Sequence, residues 1–330
     1  MDRLPRMLRS IQHAVSDRSS SKTQKSVQTR KPESRQGDKH SRLLASGSAD
    51  NTVKVWDPTT NQCVSTLNHA HWVQSVAWSH DTAWLASGSA DGIVKIWDPT
   101  TGHCVSTLKG HESAVSSVAW SHNATRLASS SDDHTIKIWA PATDECVGTL
   151  EGHVDCVRSV AWSHNGTRLA SGSDDNTVKI WDPVAGQCGL TLKGHYHCVW
   201  SVAWSHNATW LASGSLDNTV KIWDPASGQC VSTLKGHSDW VLSVAWSNDA
   251  RWLVSGSADS TVKIWDPTSG QCVSTLNGHS DWVRLVAWSS EAAWIASGSK
   301  DKTVKIWDLT TGQCISTLIG HAASVGSVAW

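Results

Sequence analysis

Histidine, serine, aspartate and tryptophan recur seven times along this chain in a fixed order, a combination suited on paper to hydrolysis. The sets are His69/Ser87/Asp91/Trp97, His111/Ser129/Asp133/Trp139, His153/Ser171/Asp175/Trp181 and His195/Ser213/Asp217/Trp223. They continue as His237/Ser255/Asp259/Trp265 and His279/Ser297/Asp301/Trp307, and the last is split between the chain's two ends as His321 with Ser46, Asp50 and Trp56. A serine activated by a histidine that an aspartate orients is the constellation of acyl transfer. Seven copies of one nucleophile serve no enzyme, and no strand–turn–helix elbow surrounds any of these serines. The same residues make better sense buried, with Asp accepting from His, His bonding Ser, and Ser meeting the indole N–H of Trp. An unpaired group in such a chain costs about 1–3 kcal/mol, so it rewards completeness. All seven sets are expected to be intact scaffold, and no catalytic residue is assigned.

Cysteine is the other reactive type. Seven of the nine (Cys63, Cys104, Cys146, Cys188, Cys230, Cys272 and Cys314) fall one per repeat, too far apart for disulfides. Cys156 and Cys198 occupy equivalent positions in neighbouring repeats, with His197 beside the second. No C-x-x-C spacing supports a metal, so neither metal nor cofactor is expected. An odd cysteine count without a signal peptide fits reduced thiols in the cytoplasm. The chain has no G-x-x-x-x-G-K-[ST] phosphate loop. The N-x-T sequons at Asn123, Asn165 and Asn207 are expected to stay unglycosylated for want of a signal peptide.

The elements that position these residues follow from the period. Trp56, Trp97, Trp139, Trp181, Trp223, Trp265 and Trp307 recur about every 42 residues, each closing a segment of the type Val-Lys-Ile-Trp-Asp. V-A-W, L-A-S-G-S and C-V-S-T-L segments keep the same beat, all short, rich in β-branched residues and bounded by turn residues. Four short antiparallel strands per unit is the reading; a helix is excluded by segment length and composition. The composition agrees, because 22 Trp against one Tyr and no Phe means one pattern copied many times. Charge divides the chain. Residues 1–42 carry 11 Lys and Arg against 4 Asp and Glu, and the remainder carries 17 against 25. Nucleic acid is therefore not an expected partner of the acidic body.

A Gly-His followed by four strands ending in Trp-Asp resembles the WD40 β-propeller family over roughly residues 41–330. The resemblance implies an all-β, seven-bladed propeller, with strands a to d running from channel to rim in each blade. Counting strands locates its seam. The first blade enters at strand b, and the chain ends on a spare strand a, so Ser324–Trp330 should pair beside Leu43–Ser48 and close the ring. Stacking the sheets radially buries both of their faces. Three departures weaken single blades: Asn68 replaces the Gly before His69 with one residue lost, Ala140 replaces the Asp after Trp139, and Ser130 replaces a strand-b Gly.

Positions that vary among near-identical copies are free of packing constraint. They cluster three and five residues beyond each His and just before each Asp, positions that in WD40 proteins face the top surface and channel mouth. The large or charged members are Trp72, Gln74, Arg158, Trp200, Trp240, Leu242, Trp282, Arg284, Lys300, Asp132 and Asp174. Trp and Arg dominate interface energetics, which points to a face that binds a protein or peptide. Trp84, Trp210, Trp252 and Trp294, with Arg126 and Arg168, precede strand b and are expected to pack between blades. The repeat texture is most similar to the WD40 arrays of fungal NACHT–WD40 receptors, which act in non-self recognition, although these 330 residues hold no NTPase domain. The expectation is a monomeric, non-catalytic scaffold, a stand-alone module or a remnant of a larger receptor. The rival is an adaptor recruiting an effector, such as a ubiquitin-ligase substrate receptor or a mitochondrial-fission adaptor. Residues 1–40 read as a basic, disordered or partly helical tail. Apolar residues from Leu4 to Val15 recur there at helical spacing, which suggests a mitochondrial transit peptide or a membrane-surface helix as alternatives.

Overall fold

The L-A-S-G-S segments decide the architecture, because every residue in them is buried. A short strand with no solvent-facing side must be covered on both faces, which a single antiparallel sheet cannot provide for itself. The computed structural model, which describes residues 43–289 and 293–330, supplies the cover by arranging seven four-stranded sheets in a ring. Its 28 strands pair strictly antiparallel in the order a-b-c-d, and the described residues contain no helix. Blade 2, for example, consists of Val73–Trp78, Leu85–Ser89, Val94–Trp97 and Cys104–Leu108. The a-strands pack against one another around the axis, and the d-strands form the exposed rim. The expected tail over residues 1–40, with its transit-peptide and membrane-helix readings, lies outside the described residues.

The ring closes where the strand count placed the seam. Val325–Ala329 pairs with Leu44–Ser48, setting Ala45 opposite Ala329 and Ser46 opposite Val328. The sheet so formed joins strand a from one end of the chain to strands b, c and d from the other.

Blades lock together through one close approach. A Cβ built on Gly47 would lie 2.7 Å from Val73 Cγ1 of the next blade, so any larger residue there must push the valine aside. Equivalent glycines fill this position in every blade but the third, where Ser130 is fully buried and its hydroxyl has no partner among the described residues. The inner edges are also stitched. Ser75 Oγ accepts from Val118 N at 3.1 Å, and Ser327 Oγ accepts from Val76 N at 3.0 Å across the seam. Leu285 takes the place of this serine in blade 7. Trp210, Trp252 and Trp294 pack into the interblade clusters, and Arg168 Nη1 donates to Pro225 O at 3.1 Å, as their positions suggested. Trp84 departs from that expectation and stands exposed.

The two interblade junctions beside the closing strand each lack one bond that the other five have. Five a-strand tryptophans donate to an alanine carbonyl of the preceding blade, as Trp120 does to Ala77 at 3.2 Å. Trp78 and Trp330, which flank the closing strand, have indole N–H groups without a partner among the described residues. Removing Ser324–Trp330 should therefore abolish cooperative unfolding, read as loss of a single sharp calorimetric transition; an unchanged melt would show that closure does not depend on this strand.

Candidate functional site

Two candidate sites must be told apart: the repeated His/Ser/Asp/Trp sets inside the blades and the variable residues at the channel. In blade 4, Trp181 Nε1 donates to Ser171 Oγ at 2.8 Å, and His153 reaches Ser171 through Nε2 and Asp175 through Nδ1, both at 2.7 Å. Asp175 also accepts from Thr177 Oγ1 at 2.6 Å and from the backbone N–H of Val154. With Nδ1–H donating to the carboxylate, Nε2 accepts the serine proton, so each serine has its lone pair and proton engaged.

The other blades repeat the pattern. Ser129 and Ser213 each accept an indole N–H at 2.8 Å, from Trp139 and Trp223, and each meets its histidine Nε2 at 2.7 Å. Ser255 and Ser297 accept from Trp265 and Trp307 at 2.7 Å, and meet His237 and His279 at 2.7 and 2.8 Å. As candidate site residues, Ser46, Ser87, Ser129, Ser171, Ser213, Ser255 and Ser297 all fail on access, because each is 0% exposed. A hydroxyl held between an indole and an imidazole, with no exposed surface, cannot reach a substrate carbonyl. These serines are structural, and none belongs to a surface that meets a ligand.

Six of the seven sets are complete; the expectation that all would be is corrected in blade 2. His69 bonds Ser87 at 2.6 Å and Trp97 bonds the same hydroxyl, but His69 Nδ1 is buried without a partner among the described residues. Two changes account for this. The loop entering blade 2 is one residue short. Ile93 stands where Thr52, Thr135 or Thr177 elsewhere anchors the aspartate, leaving Asp91 exposed and held only by Ile93 N at 3.2 Å.

Burial and hydrogen bonding shift the protonation of several residues in these sets. Burial, with a smaller contribution from Lys95, lowers His69 from its ordinary 6.5 to about 4. Burial also outweighs the Asp133 and Asp301 carboxylates in lowering His111 and His279. Burial tends to raise Asp50 and Asp133, but bonds from Thr and His side chains prevail and hold both near 2.

At the channel, the variable residues form two groups instead of one open ring. Arg158 is clamped between blades, donating from Nη1 to Asp132 Oδ1 at 2.7 Å and from Nε to Asp174 Oδ2 at 2.9 Å, with its guanidinium 5.0 Å from the Trp200 ring. Ser116 Oγ adds a bond to Asp132 at 2.7 Å. Arg158 thus joins Asp132 and Asp174 beneath the Trp200 ring, although Asp174 Oδ1 itself has no partner among the described residues. On the far side, Trp240 and Trp282 meet edge to face at 5.5 Å, and Lys300 Nζ lies 4.5 Å over Trp282 and 3.8 Å from Asp281. Between the groups opens a cavity of about 490 Å³ along the axis, lined by Trp72, Gln74, Arg158, Trp200, Trp240, Leu242, Trp282 and Arg284 among others.

Two residues expected on the surface lie inside this channel. Leu242 is buried at 4% exposure, and Arg284 is half-buried, because strand a turns its five-beyond-His position toward the axis. Arg284 is the one to note. Its Nε is buried with no partner among the described residues, and burial lowers its pKa against the pull of Asp281. Among the tryptophans that line the cavity, Trp72 is the most exposed, at 56%.

The family comparison fits this geometry. The WD40 family model, described as WD domain, G-beta repeat, matches residues 37–57, 61–98, 102–140, 144–182, 186–224, 228–266 and 270–308. The chain belongs to the WD40 family. Each WD40 match after the first runs from strand d of one blade through strand c of the next, so the sequence repeat is offset from the structural blade. The first match is short because the strands d and a that would precede it, Gln313–Ile319 and Val325–Ala329, lie at the other end of the chain. WD40 propellers are typically non-enzymatic scaffolds that bind proteins or peptides.

A feature absent from the sequence-based expectations sits at the opposite mouth. His80, His122, His164 and His206 follow strand a in blades 2 to 5 and lie in series as tilted rings, with centroids 3.8, 3.8 and 3.6 Å apart. Burial and the neighbouring imidazoles lower His80, and lower His164 to about 4. The signal is present in the recurring S-V-A-W-S-H, whose final histidine has the same periodicity as the buried sets.

These bonds generate two predictions. His153→Ala, which orphans Ser171 and Asp175, should cost about 1–3 kcal/mol, whereas His69→Ala should cost clearly less because its aspartate bond is already missing; chemical denaturation of both variants compares them directly. Histidines whose folded pKa lies below the unfolded value contribute stability in full above about pH 6.5, and lose it as pH falls toward 4. The melting temperature should therefore drop between pH 6.5 and 4, with a further loss below about 3.8 as Asp50 and Asp133 are protonated. His164→Asn, which installs the residue found at Asn248, should flatten the first limb.

Proposed function

We propose that this WD40 propeller is a non-catalytic, monomeric scaffold that seats a protein segment at the upper channel mouth. The observation that carries the reading is Arg284, an arginine with a buried, unpartnered Nε in a cavity walled by tryptophans. A buried donor without an acceptor costs free energy in the unliganded protein, and an incoming carboxylate removes that cost. Trp72, Trp240 and Trp282 supply flat apolar area around it, which suits an aromatic or aliphatic side chain beside an acidic one or a chain terminus. Arg158 is less suited to the anion, because Asp132 and Asp174 already hold it.

The near-identity of the repeats, with variation concentrated at the channel and its mouth, supports a recognition role of the kind carried by fungal NACHT–WD40 arrays. A cytoplasmic setting belongs to the same proposal. It is supported by nine free cysteines, seven of them exposed on the rim, which favour reducing surroundings.

Affinity capture with mass spectrometry, comparing the native chain with a Trp72→Ala/Trp282→Ala/Arg284→Gln variant of matched fold, tests the reading. A partner held by the first should be weakened about 30-fold or more for each tryptophan lost. Equal capture by both would remove the channel mouth as the binding surface. The partner's identity would separate recognition from an adaptor role, in which a ubiquitin-ligase or fission component appears, and no partner on either would favour a remnant.

A further inference from the structure

The junction between blades 3 and 4 carries a set of side chains found at no other described junction. His134 occupies the b–c turn of blade 3, and Asp155 and Cys156 lie in the loop that enters blade 4. Their potential ligand atoms all lie within 4.8 Å of one another, with His134 Nε2 4.0 Å from Asp155 Oδ1. A tetrahedral zinc ion bound at about 2.0 Å to nitrogen or oxygen and about 2.3 Å to sulfur separates its ligands by about 3.3–3.6 Å. Side-chain rotation at this surface is enough to close the difference, since His134 and Asp155 are each about half exposed, at 48% and 53%.

The backbone already presents the set. His134 sits at φ 70°, the left-handed turn position that Asn51, Asn176 and Asn218 occupy elsewhere. The Asp155 carboxylate accepts from Cys156 N at 2.7 Å, the outer bond that fixes a ligating carboxylate. Cys156 Sγ lies 3.6 Å from the Asp132 carbonyl, toward the same seam between the blades. The next junction is an internal control. There His197 Nδ1 accepts from Cys198 N at 2.8 Å in the same geometry, but the turn residue is Asn176, so one ligand is missing.

We propose that His134, Asp155 and Cys156 form a surface site for a zinc-like divalent cation, with the fourth position left to water or to a side chain from a partner. A nitrogen, an oxygen and a thiolate suit zinc better than magnesium or calcium, which take oxygen. Binding would tie blade 3 to blade 4 across the junction where the Ser130 hydroxyl is buried without a partner among the described residues.

Cobalt is the probe, because its bond to a thiolate gives a charge-transfer absorption that zinc then displaces. Titrating the reduced, chelator-treated full chain should produce this band with one equivalent of Co²⁺, and Zn²⁺ should abolish it and raise the melting temperature. Cys156→Ser should remove the band, and His134→Asn, which installs the residue other blades carry and so preserves the fold, should weaken binding by at least about 100-fold. Cys198→Ser should bind as the native chain does. No thiolate band, a band undiminished in His134→Asn or Cys156→Ser, or one lost in Cys198→Ser would each overturn the assignment.

Discussion

Each blade depends on a serine hydroxyl buried on strand b. It takes the indole N–H of a tryptophan on strand c and gives its proton to a histidine from the loop before strand a. One atom thereby fixes the relative positions of three strands, and the aspartate behind the histidine fixes the b–c turn as well. The arrangement works because it is dry: away from water, a satisfied chain of bonds is stiff and a gap in it is costly. It also explains why residues that elsewhere do chemistry do none in these sets. Their reactive lone pairs and protons are consumed in holding the sheet together.

With the blade interior fixed this way, the contacts between blades can be simple. Glycine on strand b admits a valine from the neighbour, and serine on strand a bonds the neighbour's backbone across the inner edge. The ring needs no hub side chains, so the channel is left lined by whatever residues strand a and its preceding loop supply. That freedom is what allows an ion-paired arginine on blade 4, an unpaired one on blade 7 and tryptophans between them, on a frame of nearly uniform repeats. The same frame brings four histidines together at the lower mouth, where burial and the neighbouring imidazoles lower His80 and His164.

Much of this is legible in the chain itself. The period locates every strand, the spare strand a at Trp330 locates the seam, and the fixed order of His, Ser, Asp and Trp names the buried sets. These features repeat, and repetition reveals local bonding rules whose partners sit at constant sequence offsets. The blade-2 defect is half visible: the lost residue beside His69 stands out in the alignment of the repeats, but its effect on the Asp91 bond does not. Ile93, lacking a hydroxyl to anchor Asp91, is the signal that could have revealed it.

Contacts between different blades were the part that only the tertiary structure decided. Arg158 and Arg284 occupy the same offset from their histidines, yet one is neutralised by two carboxylates and the other is left with a buried, unpartnered nitrogen. Nothing at a fixed sequence offset distinguishes them, because the difference lies in what the adjoining blade places opposite. His134 reaching Asp155 and Cys156 is a case of the same kind. The sequence by itself determined the blade, its repeat and its closure, since those arise from bonds within one unit copied seven times. Which side chains meet across the channel and across the junctions depended on the curvature of the ring, and only the folded molecule fixes that.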